Sequence, residues 1–206
     1  MRPERNLLHG EFGELEVLMK IMILMVVFSL VALVFFLACT KKEIDSSVFG
    51  PEMEKTFIHA GLRLLKEKIP SREFSLASTT GETLSLSAFK GKPVFLNFWA
   101  TWCGPCREEM PSMEAIYKLY SERGLEILAV NNMEEPQDVI DFMKTNELSF
   151  PALYDRDGKV SSSYGVQALP TSYLIDREGM VIMRLVGTIN WNTPAIHKAF
   201  EKLLAQ

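Results

Sequence analysis

The apolar positions of this chain change period several times, and each change marks an element. Ile21 to Ala38 is almost continuously apolar, with Ser29 its only clearly polar residue. A run of roughly 18 residues is near the minimum for a bilayer span and long for a secretory h-region. Thr40-Lys41-Lys42-Glu43 then opens a polar stretch. Met53, Phe57, Gly61, Leu64 and Leu65 recur at roughly helical spacing, which predicts a helix over 52–68 within a linker over 40–69. From residue 70 the period shortens. Phe74-Ser75-Leu76 and Thr83-Leu84-Ser85-Leu86 alternate apolar and polar residues around Thr80-Gly81, the pattern of a hairpin. Val94 to Trp99 reads as a strand buried on both faces. A helix over roughly Cys106 to Arg123 follows, then a strand from Leu125 to Asn131.

Pro136 to Thr145 reads as a helix with Pro136 in its first turn. Ser161 to Tyr164 reads as a helical turn. Thr171–Ile175 and Met180–Val186 form a hairpin across Asp176-Arg177-Glu178-Gly179, and Asn192 to Leu204 is the closing helix. The order is βαβ followed by ββα. It predicts an α/β domain over 70–206, with a mixed central sheet flanked by helices and an extra N-terminal β-hairpin.

Composition adds limits. At 206 residues and 48% hydrophobic, the chain is long enough for one domain with extras. A net charge of −4 with no long basic run argues against nucleic acid as a partner. There is no internal repeat and no phosphate-binding glycine loop. Glu4, Glu11, Glu14 and Glu16 precede the apolar run, which is unlike a signal peptide. Met19-Lys20 is the more ordinary beginning, so residues 1–18 are read as a leader ahead of the true start. Residues 19–39 are then a signal peptide or membrane anchor. Phe36-Leu37-Ala38-Cys39 resembles a bacterial lipoprotein box, with phenylalanine where the box usually has leucine, and implies lipidation at Cys39. Cys39 could instead be a membrane-buried small hydrophobe. Lysines flank the apolar run on both sides, so the charge bias does not set its orientation. Lipid and uncleaved anchor predict the same location: a domain tethered to the extracytoplasmic face of a bacterial membrane.

The candidate chemistry is Cys103-Gly104-Pro105-Cys106. A cysteine attacks as its thiolate, which a helix N-terminus stabilises. With two residues between them, Cys103 can attack a partner's disulfide and Cys106 can resolve the mixed disulfide. Pro105 pre-sets a helical φ, Gly104 adds no bulk beside the nucleophile, and Trp99 and Trp102 are expected to shape the apolar surface around it. A closed zinc site needs four ligands, and Cys39, His9, His59 and His197 offer no motif spacing. A staple this short closes almost no loop. The pair therefore reads as a redox dithiol that needs no cofactor and no metal.

Several ordered segments resemble the thioredoxin fold, and more closely its membrane-attached TlpA/ResA-like thiol–disulfide oxidoreductases. They are Gly91-Lys92-Pro93-Val94-Phe95-Leu96-Asn97-Phe98-Trp99 before the motif and Arg107-Glu108-Glu109-Met110-Pro111 after it. Further on come Phe150-Pro151-Ala152-Leu153-Tyr154-Asp155, Tyr164-Gly165-Val166 and Leu169-Pro170-Thr171-Ser172-Tyr173-Leu174-Ile175-Asp176. The resemblance spans about two-thirds of the chain. It implies that Pro170 is a cis-proline facing the cysteines, and that Trp102, Gly104, Pro105, Leu169 and Pro170 form the client surface. It implies that Glu109 assists proton transfer at the thiols and that Pro111 kinks the helix. Asn97 departs from thioredoxins proper, which carry a buried aspartate there; an amide cannot take up that aspartate's proton, which points to Glu109 or water. Glu134 and Glu135 are read as solvated loop charges, and His197 as carrying no chemistry.

Gly104-Pro105 is the dipeptide of thioredoxin, a reductant near about −270 mV, whereas oxidising relatives lie near about −120 mV. The resemblance thus implies a reductant of protein disulfides, with apocytochrome c a known client class and a membrane thiol-electron donor of the CcdA or DsbD type. The alternatives are a disulfide oxidase or isomerase, a peroxidase-reducing partner, or a copper-delivery module using Cys103, Cys106 and one of eleven methionines.

Overall fold

The structure, a computed structural model, describes residues 19–31 and 48–206. The chain divides into two compact units, residues 1–46 and 47–206. In the first, residues 19–31 form helix α1, whose large apolar side chains are exposed. Among the described residues no helix is long and apolar enough to cross a membrane. Residues 1–18, the end of the apolar run and Cys39 lie outside the described residues.

The second unit begins with α2 (Pro51–His59) and β1 (Leu64–Pro70). A small separate sheet follows, β2 (Ser75–Ala77) paired antiparallel with β3 (Thr83–Ser85). Then come β4 (Val94–Trp99), α3 (Gly104–Tyr120), β5 (Glu126–Asn132), α4 (Pro136–Thr145) and β6 (Ala152–Asp155). The chain finishes with α5 (Lys159–Ser163), β7 (Thr171–Ile175), β8 (Met180–Val186) and α6 (Pro194–Leu204). The main sheet has the order β1-β8-β7-β4-β5-β6. β4, β5 and β6 run parallel, while β7, β8 and β1 pair antiparallel. This is the mixed α/β sheet of a thioredoxin-like fold.

All six residues of β4 are buried, because each of its faces meets a different core. Phe95 and Trp99 join α2, α3, α4 and α6 in one cluster. Val94, Leu96 and Phe98 join Phe74, Leu86, Tyr173 and Val181 in the other. A strand covered on both sides has no polar face, so the sequence shows a continuous apolar run rather than an alternation. Asn97 is the exception in that run, and it shares its face with Phe95 and Trp99.

The structure corrects two expectations at the start of the unit. The helix over 52–68 is two elements, α2 and then the edge strand β1. Residues 47–69 are no linker, since they belong to the same compact unit as the rest. The reason is Gly61, at φ +77°. The Gly61 N–H donates to Ile58 O at 3.0 Å and the Leu62 N–H to Phe57 O at 2.8 Å. Those two bonds form a Schellman stop, which wants a left-handed residue at the Gly61 position and an apolar contact between Leu62 and Phe57. Leu62, which breaks the helical spacing, is buried in the same core as Met53 and Phe57. Beyond it, β1 pairs with β8 and Lys68 reaches Asp176 at 2.7 Å. The active-site helix also starts earlier than Cys106, at Gly104, and ends at Tyr120, with a 3-10 turn over Ser121–Arg123.

Candidate active site

β4 delivers the chain to the carboxyl edge of the sheet, where Ala100–Trp102 turns into α3. Cys103 occupies the N-cap of α3, with its Sγ accepting from the Cys106 N–H at 3.2 Å. The two cysteines form a disulfide, with Cα atoms 5.3 Å apart. Unpaired N–H groups at this helix end favour negative charge on Cys103 when the bond is open. The two sulfurs are not equivalent. Cys103 is 5% exposed and lines a surface groove of ≈ 440 Å³; Cys106 is fully buried. Trp102, Gly104 and Pro105 form one wall of the groove and Val166 to Leu169 the other, with Asn132 also lining it. Trp102 is 68% exposed. Trp99 does not belong to this surface: it is fully buried against the Phe142 ring.

The Leu169–Pro170 bond is cis. Pro170 is buried and its carbonyl accepts from the Gly187 N–H at 2.9 Å. The N–H and C=O of Leu169 enter no hydrogen bond among the described residues. The groove therefore has one wall carrying a sulfur and another carrying free backbone groups.

Glu109 lies three residues after Cys106 in α3, so the two share a face of the helix. It is 1% exposed. One carboxyl oxygen accepts from Asn97 Nδ2 at 2.8 Å, the other from Trp191 Nε1 at 3.0 Å, and the Ile189 N–H also donates to the group. Burial pushes its pKa up to about 7, against the three donors, which pull it down. Asn97 Nδ2 also donates to Ser172 Oγ at 2.9 Å, and Asn97 Oδ1 is buried with no partner.

A second carboxylate holds the turn before the cysteines. Glu134 accepts from the Thr101 N–H at 2.7 Å, from the Thr101 hydroxyl, and from Asn131 Nδ2 at 2.6 Å. It is thus a tether, not the solvated loop charge expected from the sequence. Glu135 is exposed and pairs with Arg156 at 2.7 Å.

The family model for the AhpC/TSA family matches residues 65–184, more than half of the chain. This chain belongs to the AhpC/TSA family. Within it, the chain is 46% identical over 114 residues to the thiol-disulfide oxidoreductase ResA of Bacillus thuringiensis subsp. konkukian, covering 55% of this chain and 66% of that relative. It is 42% identical over 132 residues to the ResA of Bacillus subtilis strain 168, covering 64% of this chain and 74% of the relative. The alignment thus spans just under two-thirds of the first of these proteins. Among solved structures it resembles the exposed lipoprotein thioredoxin of Streptococcus pneumoniae, at 30% identity and a TM-score of 0.57, covering 64% of this chain and all (100%) of that one.

In this AhpC/TSA member the structure brings Trp102, Cys103, Gly104, Pro105 and Leu169 to one groove; Pro170 is buried next to Leu169 in the chain, and Glu109 is buried on the face of α3 that carries Cys106. Cys39 lies outside the described residues. No group of three or more metal-binding side chains occurs among the described residues. Sequence reading missed Glu134, Trp191 and Ser172. Glu134 had a signal: parallel pairing of β4 with β5 sets Trp99 beside Asn131, so residues just past β5 meet residues just past β4. The carboxyl edge of a parallel sheet is where sites collect. Trp191 had none, since it lies in irregular chain far from Glu109 in sequence.

Proposed function

We propose that this protein is an extracytoplasmic thiol–disulfide oxidoreductase that reduces protein disulfides through Cys103 and Cys106. The observation that carries this reading is the disulfide at the start of α3, with Cys103 alone facing the groove. In the reduced protein the Cys103 thiolate attacks one sulfur of a client disulfide. A bond forms between Cys103 Sγ and that sulfur, the client S–S bond breaks, and the second client sulfur leaves as a thiolate. The Cys106 thiol then loses its proton and attacks Cys103 Sγ. This closes the Cys103–Cys106 bond and releases the first client sulfur, so the client gains two electrons and the protein loses two. Glu109, one turn from Cys106 and with a pKa near neutrality, is the proposed acceptor of the Cys106 proton. The free Leu169 N–H and C=O fit a client segment bound in extended form, as an added strand.

The direction is read from Gly104-Pro105, the dipeptide of thioredoxin; the relatives' printed name, thiol-disulfide oxidoreductase, supports the reaction class alone. In an oxidising compartment a reductant needs electrons from inside, which a membrane thiol transporter of the CcdA or DsbD type would supply. Apocytochrome c before haem attachment is a client class of the right chemistry. The apolar run over residues 21–38 and Cys39 support a tether outside the membrane, by lipid or by uncleaved anchor. The pneumococcal neighbour's description as an exposed lipoprotein agrees with this.

A Cys106→Ala variant expressed in cells is expected to accumulate mixed disulfides through Cys103, identified by mass spectrometry after non-reducing separation. No adduct above that of the Cys103→Ala/Cys106→Ala double variant rejects the client reading. A reduction potential more oxidising than about −180 mV rejects the reductant direction in favour of an oxidase or isomerase.

A further inference from the structure

The chain between β8 and α6 is tied to α3 at the turn that carries Glu109. The Trp191 N–H donates to Ser112 Oγ at 3.0 Å, and the Ser112 hydroxyl donates to Glu109 O at 2.7 Å. The Trp191 ring is fully buried, 4.5 Å from Phe95 and 6.5 Å from Phe200 between ring centroids. Its indole N–H reaches Glu109 Oε2 at 3.0 Å. We propose that Trp191 is a positioning residue of the Cys103–Cys106 site, holding Glu109 Oε2 so that the proton exchanged with the cysteines is carried on Oε1, beside Asn97. This inference rests on the proposed role of Glu109 in the thiol–disulfide reaction.

The asymmetry between the two carboxyl oxygens comes from their partners. An indole N–H donates only, and it does not titrate. It therefore supports an oxygen with a free lone pair and rejects a hydroxyl hydrogen at Oε2. A carboxamide can present either end. With Nδ2 towards Glu109 and Ser172, Asn97 serves the ionised carboxylate and leaves its own Oδ1 without a partner. Turned over, Oδ1 accepts from the Ser172 hydroxyl and from a protonated Oε1. Asn97 thus follows the proton, while Trp191 stays fixed.

The groups that face the carboxyl are Asn97 from β4, Ser172 from β7 through Asn97, and the Ile189 N–H and Trp191 indole from the docked loop. Cys106 shares its face of α3. His197 of α6 is engaged with Tyr120 and Asn192, Glu114 with Ser149 and Lys118, and Glu108 is exposed. α2 contributes apolar side chains. Removing the indole donor therefore removes support for the ionised form, and neither of the remaining donors to the carboxyl, Asn97 and the Ile189 N–H, is a cation that could replace it.

The test replaces Trp191 by benzothienylalanine in the full chain, which keeps the shape of the ring and loses the N–H. The reduced protein, labelled with 13C-glutamate, is titrated by infrared spectroscopy, and Glu109→Gln assigns the band. The Glu109 midpoint is expected to move up by about one pH unit, because a donor to the charged form has been lost. The pH profile of Cys106 alkylation in a Cys103→Ser background should move with it. Ser112→Ala, which frees the loop while keeping the indole, should shift the midpoint in the same direction by less. An unmoved midpoint in both folded variants overturns the proposal. If the isosteric variant does not fold, the Ser112→Ala result decides alone. A shifted band in a protein that cannot reduce any protein disulfide leaves Trp191's role standing and rejects the proposed function instead.

Discussion

Glu109 is a carboxyl group whose burial opposes its ionisation, and this has a sign in stability as well as in chemistry. Its ordinary pKa of 4.5 becomes about 7 in the fold. Below the ordinary value both folded and unfolded chains hold the proton, and stability is complete. Between the two values the unfolded chain releases a proton that the folded chain keeps, so stability falls as pH rises; above the folded value the loss is full. Glu109→Gln removes this titration while keeping a side chain of the same size. Urea unfolding should therefore show the difference between the parent and Glu109→Gln changing by about 2 to 3 kcal/mol from about pH 5 to about pH 8, to the parent's disadvantage. A difference independent of pH would falsify the assignment of the raised pKa to this residue. The adjacent pair Glu134 and Glu135 gives a second prediction. Glu134→Ala leaves the Thr101 N–H and Asn131 amide without their acceptor, at a cost of about 1–3 kcal/mol, and loosens the turn before Cys103. Its thiol exchange with a small disulfide should slow measurably. Glu135→Ala gives up only an exposed pair with Arg156, worth about 0–1 kcal/mol, and should leave exchange unchanged. In sequence these two glutamates look the same; the parallel pairing of β4 and β5 makes one a tether and the other a surface charge.

At the level of elements, the legible parts were those whose burial is simple. β4 was readable because it is covered on both faces, and the β7–β8 hairpin because its turn residues separate two clear runs. Cys103 and Cys106 were readable because their chemistry is local to four residues. The failure at α2–β1 has a physical origin. Gly61 fits a helical period as a small residue, yet it serves as the stop, and the side chain that defines the stop, Leu62, looked like an error in the pattern. Helix and strand also compete closely for Leu64, Leu65 and Ile69, and pairing with β8 decides the outcome. Placing α2 in the core gives a prediction that a linker would not. Phe57 is fully buried in the cluster shared with α3 and α6. Phe57→Ala should cost about 3–5 kcal/mol by denaturant titration, the range for a large aromatic removed from a packed core. A loss under about 1 kcal/mol would return residues 51–59 to the status of a spacer.

At the scale of the whole molecule, the cysteine site and the proposed tether fall in different units. Every described residue of the site lies in the compact unit over residues 47–206, and the apolar run over 21–38 lies in the other. A chain starting at Ser47 and exported without the tether should therefore react with a small disulfide at a rate within about twofold of the full protein, since no reacting or positioning group has been removed. Its state in the cell should differ. If the electron donor is a membrane protein, a tether holds the domain near it at an effective concentration of roughly millimolar, and release into the surrounding space removes that advantage. Between two encounters with the donor, the free domain meets more oxidant than reductant. It should accumulate with Cys103 and Cys106 bridged, whereas the tethered protein keeps a reduced fraction; acid quenching followed by a mass-shifting thiol label measures both. The intact mass of the membrane-bound protein separates the two tethers. A chain that begins at Cys39 and carries added lipid marks a lipid anchor, and a chain that keeps residues 21–38 marks an uncleaved helix. Equal reduced fractions in the tethered and free domains would mean that electrons arrive from a soluble donor, and the membrane thiol transporter would then have no part in the cycle.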